Sequence, residues 1–378
     1  MIYLDSAATS LQKPASVPRA CAEAIRTMAS PGRGGHSPAM LAADTAFRCR
    51  ELLAGLFNAP SPENVVFTMN ATHGLNIAIN TLISPGDRVV VSGWEHNAVT
   101  RPLRLFGANT DVAESPLFDS GAALRAFRRK VRGADAVVCT HVSNAFGYIL
   151  PIYEIAELCR EEQVPLIVDA SQSAGVLAVD MQRLGARFIA MPGHKGLLGP
   201  QGTGVLLCSG EVKPLMAGGT GSESRNQDMP RFLPDRLEAG THNICGIAGL
   251  MAGTEYVSAL TTEKIGRHER ELARLMAQQL SDIPGLRVYA SDDPALQAGV
   301  VSVRHETLGC ERIGEELGNR GVAVRAGLHC APTAHKSAGT LDSGTVRFSF
   351  SPFNTRAEVK KAADATKSAI KKLSGQAK

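Results

Sequence analysis

Lys195 stands in Met191-Pro192-Gly193-His194-Lys195-Gly196-Leu197-Leu198-Gly199-Pro200, a lysine among glycines directly after an apolar run. A lysine held in a tight loop can form a Schiff base with a carbonyl compound. Asp169 closes an earlier apolar run, Leu166-Ile167-Val168-Asp169. An acid at the end of such a run is costly to bury unless something pairs with it. A protonated pyridine nitrogen would be that partner. A lysine and an acid so placed are how proteins hold pyridoxal phosphate (PLP) and use its ring as an electron sink. On its own, Lys195 also reads as a surface lysine in a Gly-rich loop.

Other apolar runs end in residues of suitable type. After Val65–Thr68 come Asn70, Ala71 and Thr72 at the start of a helical pattern. These suit either a phosphate on free backbone N–H groups or an ordinary N-cap. His96 follows the run ending at Ser92, placed to stack on a flat ring, to move protons, or merely to bond to backbone. Asn144 follows the run ending at Thr140 and could meet a ring hydroxyl or brace a turn. Gln172, three residues past Asp169, could reach a phenolic oxygen. Five run ends thus supply groups that PLP needs, and together they weaken the separate structural readings. Cys330 lies in the polar, turn-forming stretch Gly327-Leu328-His329-Cys330-Ala331-Pro332-Thr333-Ala334-His335-Lys336. His329, His335 and Lys336 beside it would favour the thiolate, the reactive form.

These residues need a scaffold that gathers run ends. Between about residues 60 and 210, short β-branched runs alternate with helical patterns: Val65–Thr68, Val89–Ser92, Ala136–Thr140, Leu166–Asp169, Phe188–Met191 and Gly204–Cys208. The runs are apolar throughout, which predicts a parallel sheet covered on both faces. Ile152, Ile155, Ala156 and Cys159 share a helical face between two of them. In such βαβ sheets ligands bind at the carboxyl ends of the strands. Beyond about residue 255 the pattern becomes α+β. It predicts a helix over Thr262–Ile283, strands near Leu286–Tyr289 and Gly299–Arg304, a helix over Cys310–Asn319, a strand over Thr345–Phe350 and a helix from Thr355. The expected division is a large domain over 16–254 and a small one made of 1–15 and 255–378. Lys371–Lys378 reads as a frayed tail.

Composition narrows the class. The net charge of +4 over 378 residues suggests neither a nucleic-acid nor a membrane-surface partner. No run approaches 18 apolar residues, and Met1-Ile2-Tyr3-Leu4-Asp5 does not read as a signal peptide. The eight cysteines are scattered without a CxxC pair, so neither a disulfide framework nor a metal site is expected. A cytoplasmic, reduced protein is the expectation.

The ordered motifs resemble those of fold-type I PLP enzymes of the class V aminotransferase group, in the cysteine desulfurase/selenocysteine lyase branch. Tyr3-Leu4-Asp5-Ser6-Ala7-Ala8-Thr9, Glu95-His96-Asn97-Ala98, His141-Val142-Ser143-Asn144, Asp169-Ala170-Ser171-Gln172-Ser173 and Gly193-His194-Lys195 are similar to that family's motifs, in order. So are Glu238-Ala239-Gly240-Thr241 and the segment from Val324 to Ala331. The resemblance implies an α/β fold with a mostly parallel seven-stranded sheet domain and a smaller α+β C-terminal domain. It implies that Lys195 carries PLP, Asp169 pairs with its ring nitrogen, His96 stacks on the ring and Gln172 meets the phenolate. Ala71, Thr72 and His194 would hold the phosphate, and Thr241 would reach it from a second subunit of a homodimer with shared sites. Asn144, Arg347 and Arg325 would bind an amino acid, with Arg347 gripping the carboxylate as a two-pronged fork. Pro192 stands where family members often carry a hydroxyl residue, which implies one phosphate hydrogen bond fewer. The reaction implied is cysteine to alanine, with Cys330 taking the sulfur as a persulfide for an acceptor or iron–sulfur scaffold protein. Selenocysteine lyase, or another class V aminotransferase or lyase, is the alternative.

Overall fold

The computed structural model describes residues 1–31 and 34–376. Its centre is a seven-stranded sheet. In spatial order the strands are Val65–Thr68, Gly204–Cys208, Phe188–Pro192, Leu166–Asp169, Ala136–Thr140, Arg88–Ser92 and Asn109–Ala113. Gly204–Cys208 pairs antiparallel with both neighbours, and the remaining pairings are parallel. The uniformly apolar runs have a simple cause. Val137 and Cys139 enter one buried cluster while Ala136 and Val138 enter another on the opposite face, so neither face meets water. The strand Asn109–Ala113 was not among the runs read from sequence. It lies at the sheet edge, where its first two residues are exposed and polar and leave no apolar signal.

The helix Ile152–Glu161 buries the four residues expected to share a face, together with Leu158. The helix Ile244–Leu260 runs through residues 254 and 255, and the chain turns at Thr261, whose φ is 70°. Beyond it, the helix Thr262–Leu280 stops three residues short of the expected end. A four-stranded antiparallel sheet follows, in the order Arg325–Gly327, Thr345–Ser349, Val300–His305 and Leu286–Tyr289. The helix Cys310–Asn319 packs on this sheet, and the helix Arg356–Gln376 packs in turn on the helices Cys310–Asn319 and Thr262–Leu280. That last helix covers most of the stretch expected to fray, and residues 377–378 lie outside the described residues. The N-terminal strand Ile2–Tyr3 pairs parallel with Val322–Ala323, and Asp5 bridges to Ser349. Among the described residues, no single helix is long and apolar enough to cross a membrane.

Candidate active site

One cleft at the carboxyl ends of the strands gathers Ala71, Thr72, His96, Asn144, Asp169, Gln172, His194 and Lys195. The loop carrying Lys195 is held by two interlocking glycines. A Cβ on Gly196 would lie 2.3 Å from the Ala174 carbonyl oxygen, and one on Gly175 would lie 2.4 Å from that of Gly196. Gly175 also takes a φ of 82°, which side-chain-bearing residues avoid. Burial pushes the Lys195 amine down to about 8, with Asp169 pulling the other way. Lys195 is therefore close to balance between its two protonation states near neutral pH, as a proton-transfer group should be.

Asp169 is 2% exposed, and its Oδ1 accepts from the Ser171 N–H at 2.9 Å. Its other oxygen has no hydrogen bond from any described residue, which suits a pyridinium N–H. The helix Ala71–Leu82 opens with Asn70 as N-cap, its side chain accepting from the His73 N–H at 2.9 Å. The N–H groups of Ala71 and Thr72 stay unpaired in the cleft, as first-turn groups do, and form a ready anion seat. The N-cap reading thus holds for Asn70, and the N–H groups of Ala71 and Thr72 are free to take an anion. His194 half-buries its ring, with Nδ1 3.0 Å from the Thr9 hydroxyl; burial, then Lys195 and Lys13, bring it down to about 4. It is neutral and can donate one N–H to a phosphate. Pro192 lines the same cleft and adds no hydroxyl. These groups fit PLP.

His96 bonds to backbone, one of the roles its position suggests. Its Nδ1 accepts from the Ala98 N–H at 3.0 Å and caps the helix Asn97–Leu105, while its ring faces the cleft. Burial lowers its pKa, against the pull of Asp169. Gln172 faces the cleft but donates one amide N–H to the Ala7 carbonyl at 2.9 Å, so one remains for a ligand. Asn144 donates to the His329 carbonyl at 2.7 Å, and its buried Oδ1 is left without a partner.

Arg347 is not the open fork that was expected. It is 2% exposed, donates to the Asn144 carbonyl at 2.9 Å and to Asp5 Oδ1 at 2.8 Å, and its Nε is buried unpaired. Arg325, half-exposed, donates to Asp5 Oδ2 at 3.1 Å. Asp5 therefore already occupies both arginines, and sequence reading gave it no role because its partners lie at the other end of the chain.

Thr241 does not line the cleft. It sits in a neighbouring depression with Met69, Met216 and His242. Glu238, 5% exposed, fixes this segment by accepting from the Phe67 N–H at 2.7 Å and from Arg50 at 2.6 Å. Glu95, fully buried, was another miss. It accepts from the Thr140 N–H at 2.8 Å and from the Ser92 hydroxyl, tying together the ends of two site-bearing strands.

Cys330 is the exposed one of the eight cysteines. It and His329 form consecutive left-handed residues, with φ of 56° and 51°. Each costs about 1–2 kcal/mol in an ordinary residue, a cost usually retained at working sites. The turn is fastened at two points: the Asn97 N–H donates to the Cys330 carbonyl at 2.8 Å, and Asn144 holds the His329 carbonyl. The flanking histidines do not supply the positive charge expected of them. Both are buried away from water, which brings His329 down to about 2 and His335 to about 4, so both are neutral. They bond instead to the hydroxyls of Thr345 and Thr340.

An α/β scaffold that presents a lysine and an acid on adjacent strand ends, beside a helix N-terminus with free first-turn N–H groups, is that of a fold-type I PLP enzyme. The class-V aminotransferase family model matches residues 2–362, and the chain belongs to that family. Its members use PLP, and the cleft has groups of the kind that hold it. A probable cysteine desulfurase of Methanothermobacter thermautotrophicus is 35% identical over 95% of this chain and 92% of its own length. One from Pyrococcus abyssi is 33% identical with the same coverage. The apo structure of a cysteine desulfurase from Thermococcus onnurineus superposes with a TM-score of 0.90 at 30% identity, covering 98% of this chain and 95% of that one.

Proposed function

We infer that this protein is a PLP-dependent cysteine desulfurase that converts L-cysteine to L-alanine and holds the released sulfur on Cys330. The observation that carries this reading is the Cys330 turn: an exposed thiol in a costly backbone conformation, fastened to the helix that His96 caps and to Asn144 in the cleft. Lys195 would carry the cofactor, Asp169 hold the proton on its ring nitrogen, and Ala71, Thr72 and His194 seat its phosphate. The bound cofactor supplies an electron sink at the substrate's Cα.

The chain's own residues do the rest. Arg347, oriented by Asp5, and Arg325 attract the substrate carboxylate, and Asn144 adds an acceptor for its amine. Lys195 Nζ takes the proton from Cα. Cys330 Sγ, as thiolate, attacks the substrate sulfur. An S–S bond forms, the Cβ–S bond breaks, and its electron pair stays with carbon. The proton given up by the Cys330 thiol goes to Cβ, Lys195 returns its proton to Cα, alanine leaves, and Cys330 retains a persulfide. An exposed Cys330 suits delivery to a sulfur-acceptor or iron–sulfur scaffold protein, in a reducing compartment such as the cytoplasm that keeps thiols free. Thr241, outside its own cleft and bordered by the exposed Met69 and Met216, fits a homodimer in which each chain completes its partner's phosphate seat.

Cys330→Ser tests the reaction. Alanine and sulfide formation from cysteine should fall at least about a hundredfold, while the absorbance of bound PLP is unchanged. A variant that still made alanine at the parent rate would remove Cys330 from the reaction.

A further inference from the structure

Behind Lys195, on the side away from the cofactor cleft, lies a second cavity of about 40 Å³. Lys195 lines both spaces, together with Val142, Ser171 and Gln172, and so forms part of the wall between them. The far wall comes from the helix Thr262–Leu280, which contributes Glu269. Lys195 and Glu269 are the two cavity-lining residues that ionise at ordinary pH; the other polar groups are serines and Gln172.

Glu269 is an unusual choice for its position. The inward face of its helix is otherwise Ile265, Gly266, Leu272, Ala273, Met276 and Leu280. Glu269 is 6% exposed and has no hydrogen bond or ion pair with any described residue. A carboxyl on an apolar helix face is costly unless something solvates it, a penalty that a leucine would avoid. The surroundings are cut to admit it. A Cβ on Gly299 would lie 2.7 Å from Glu269 Cβ and 3.0 Å from its Oε2. One turn earlier, a Cβ on Gly266 would lie 2.3 Å from the Val176 carbonyl oxygen, so the helix presses directly on the loop that interlocks with Gly196. The cavity has room for about three waters at roughly 10–15 Å³ each, and its serines offer them partners.

We propose that Glu269 and Lys195 share a proton through water held in this cavity, making Glu269 the relay residue that keeps the lysine in step with its protonation cycle. When Lys195 Nζ holds the substrate's Cα proton, that proton can pass to a cavity water while a proton from the water chain reaches the Glu269 carboxylate. When Lys195 must protonate carbon, the same bonds form and break in reverse. One proton moves, and nothing is oxidised or reduced. Burial raises the Glu269 carboxyl to about 8, with Arg270 on the same helix pulling it down, which brings it level with Lys195 at about 8. From the other elements around the cavity, Lys195 is the ionisable residue in the lining. A relay between matched groups is efficient in both directions.

The relay rests on Lys195 being the base at Cα, but not on Cys330 or on sulfur chemistry, so it is tested with L-alanine. In deuterated water the PLP-loaded enzyme should exchange the alanine Cα proton, and Glu269→Gln should slow this exchange roughly tenfold or more. Glu269→Asp should fall between the two, and both variants should keep the parent's PLP absorbance and thermal unfolding. Infrared spectra of the PLP-free protein give a readout independent of turnover. A protonated-carboxyl band, absent from Glu269→Gln, should disappear as pH rises through about 8. Exchange at the parent rate in Glu269→Gln, or no such titrating band, would overturn the relay. Intact exchange and relay behaviour without alanine formation from cysteine would instead overturn the desulfurase reading alone.

Discussion

Asp5 shows how a residue can matter to a site without lining it. Its carboxylate orients two guanidiniums that approach from neighbouring antiparallel strands, Arg325 and Arg347, a cross-strand pair in the register. Charge-assisted hydrogen bonds of this kind are worth about 1.5–3 kcal/mol each. Asp5→Asn should therefore raise KM for cysteine about tenfold or more while changing kcat less, because the arginines lose their aim rather than their charge. An unchanged KM would show that Arg347 is held by Asn144 alone. At this scale the sequence was legible where residue type and position within a run sufficed. Lys195 and Asp169 stood out because an apolar run leads into each. Asp5 did not, since its partners are 320 and 342 positions away. The histidines beside Cys330 misled for a related reason. Sequence proximity suggested a charged cluster, whereas their charge is decided by burial, which neighbours in the chain do not reveal.

At the scale of elements, the loop of Lys195 is fixed by backbone against backbone. Gly196→Ala would place a methyl 2.3 Å from the Ala174 carbonyl, which cannot yield without moving the segment after Asp169. Overpacking of this sort costs about 1–3 kcal/mol. The variant should fold with a lowered Tm and take up PLP poorly, read as lost visible absorbance on titration. Full PLP uptake with parent affinity would mean the loop tolerates the shift. The strands of the large sheet were readable because a strand covered on both faces must be apolar at every residue. The edge strand Asn109–Ala113 was not, because it is stabilised by pairing along a single side.

At the scale of the whole molecule, the depression holding Thr241 is bordered by Met69 at 55% and Met216 at 45% exposure. Exposed apolar side chains grouped around a conformationally fixed segment are what a partner surface requires. Sedimentation equilibrium should give twice the chain mass, and Met216→Glu should shift the population toward monomer and weaken PLP uptake together. Full PLP uptake by a monomer would exclude any role for a second chain. The pairing of Ile2–Tyr3 with Val322–Ala323 also sets an order of events during synthesis. The large sheet, with Lys195 and Asp169, is complete by Cys208, whereas Asp5 must wait for Arg325 and Arg347. A nascent chain can thus shape a cofactor seat long before it can grip an amino acid or present the thiol.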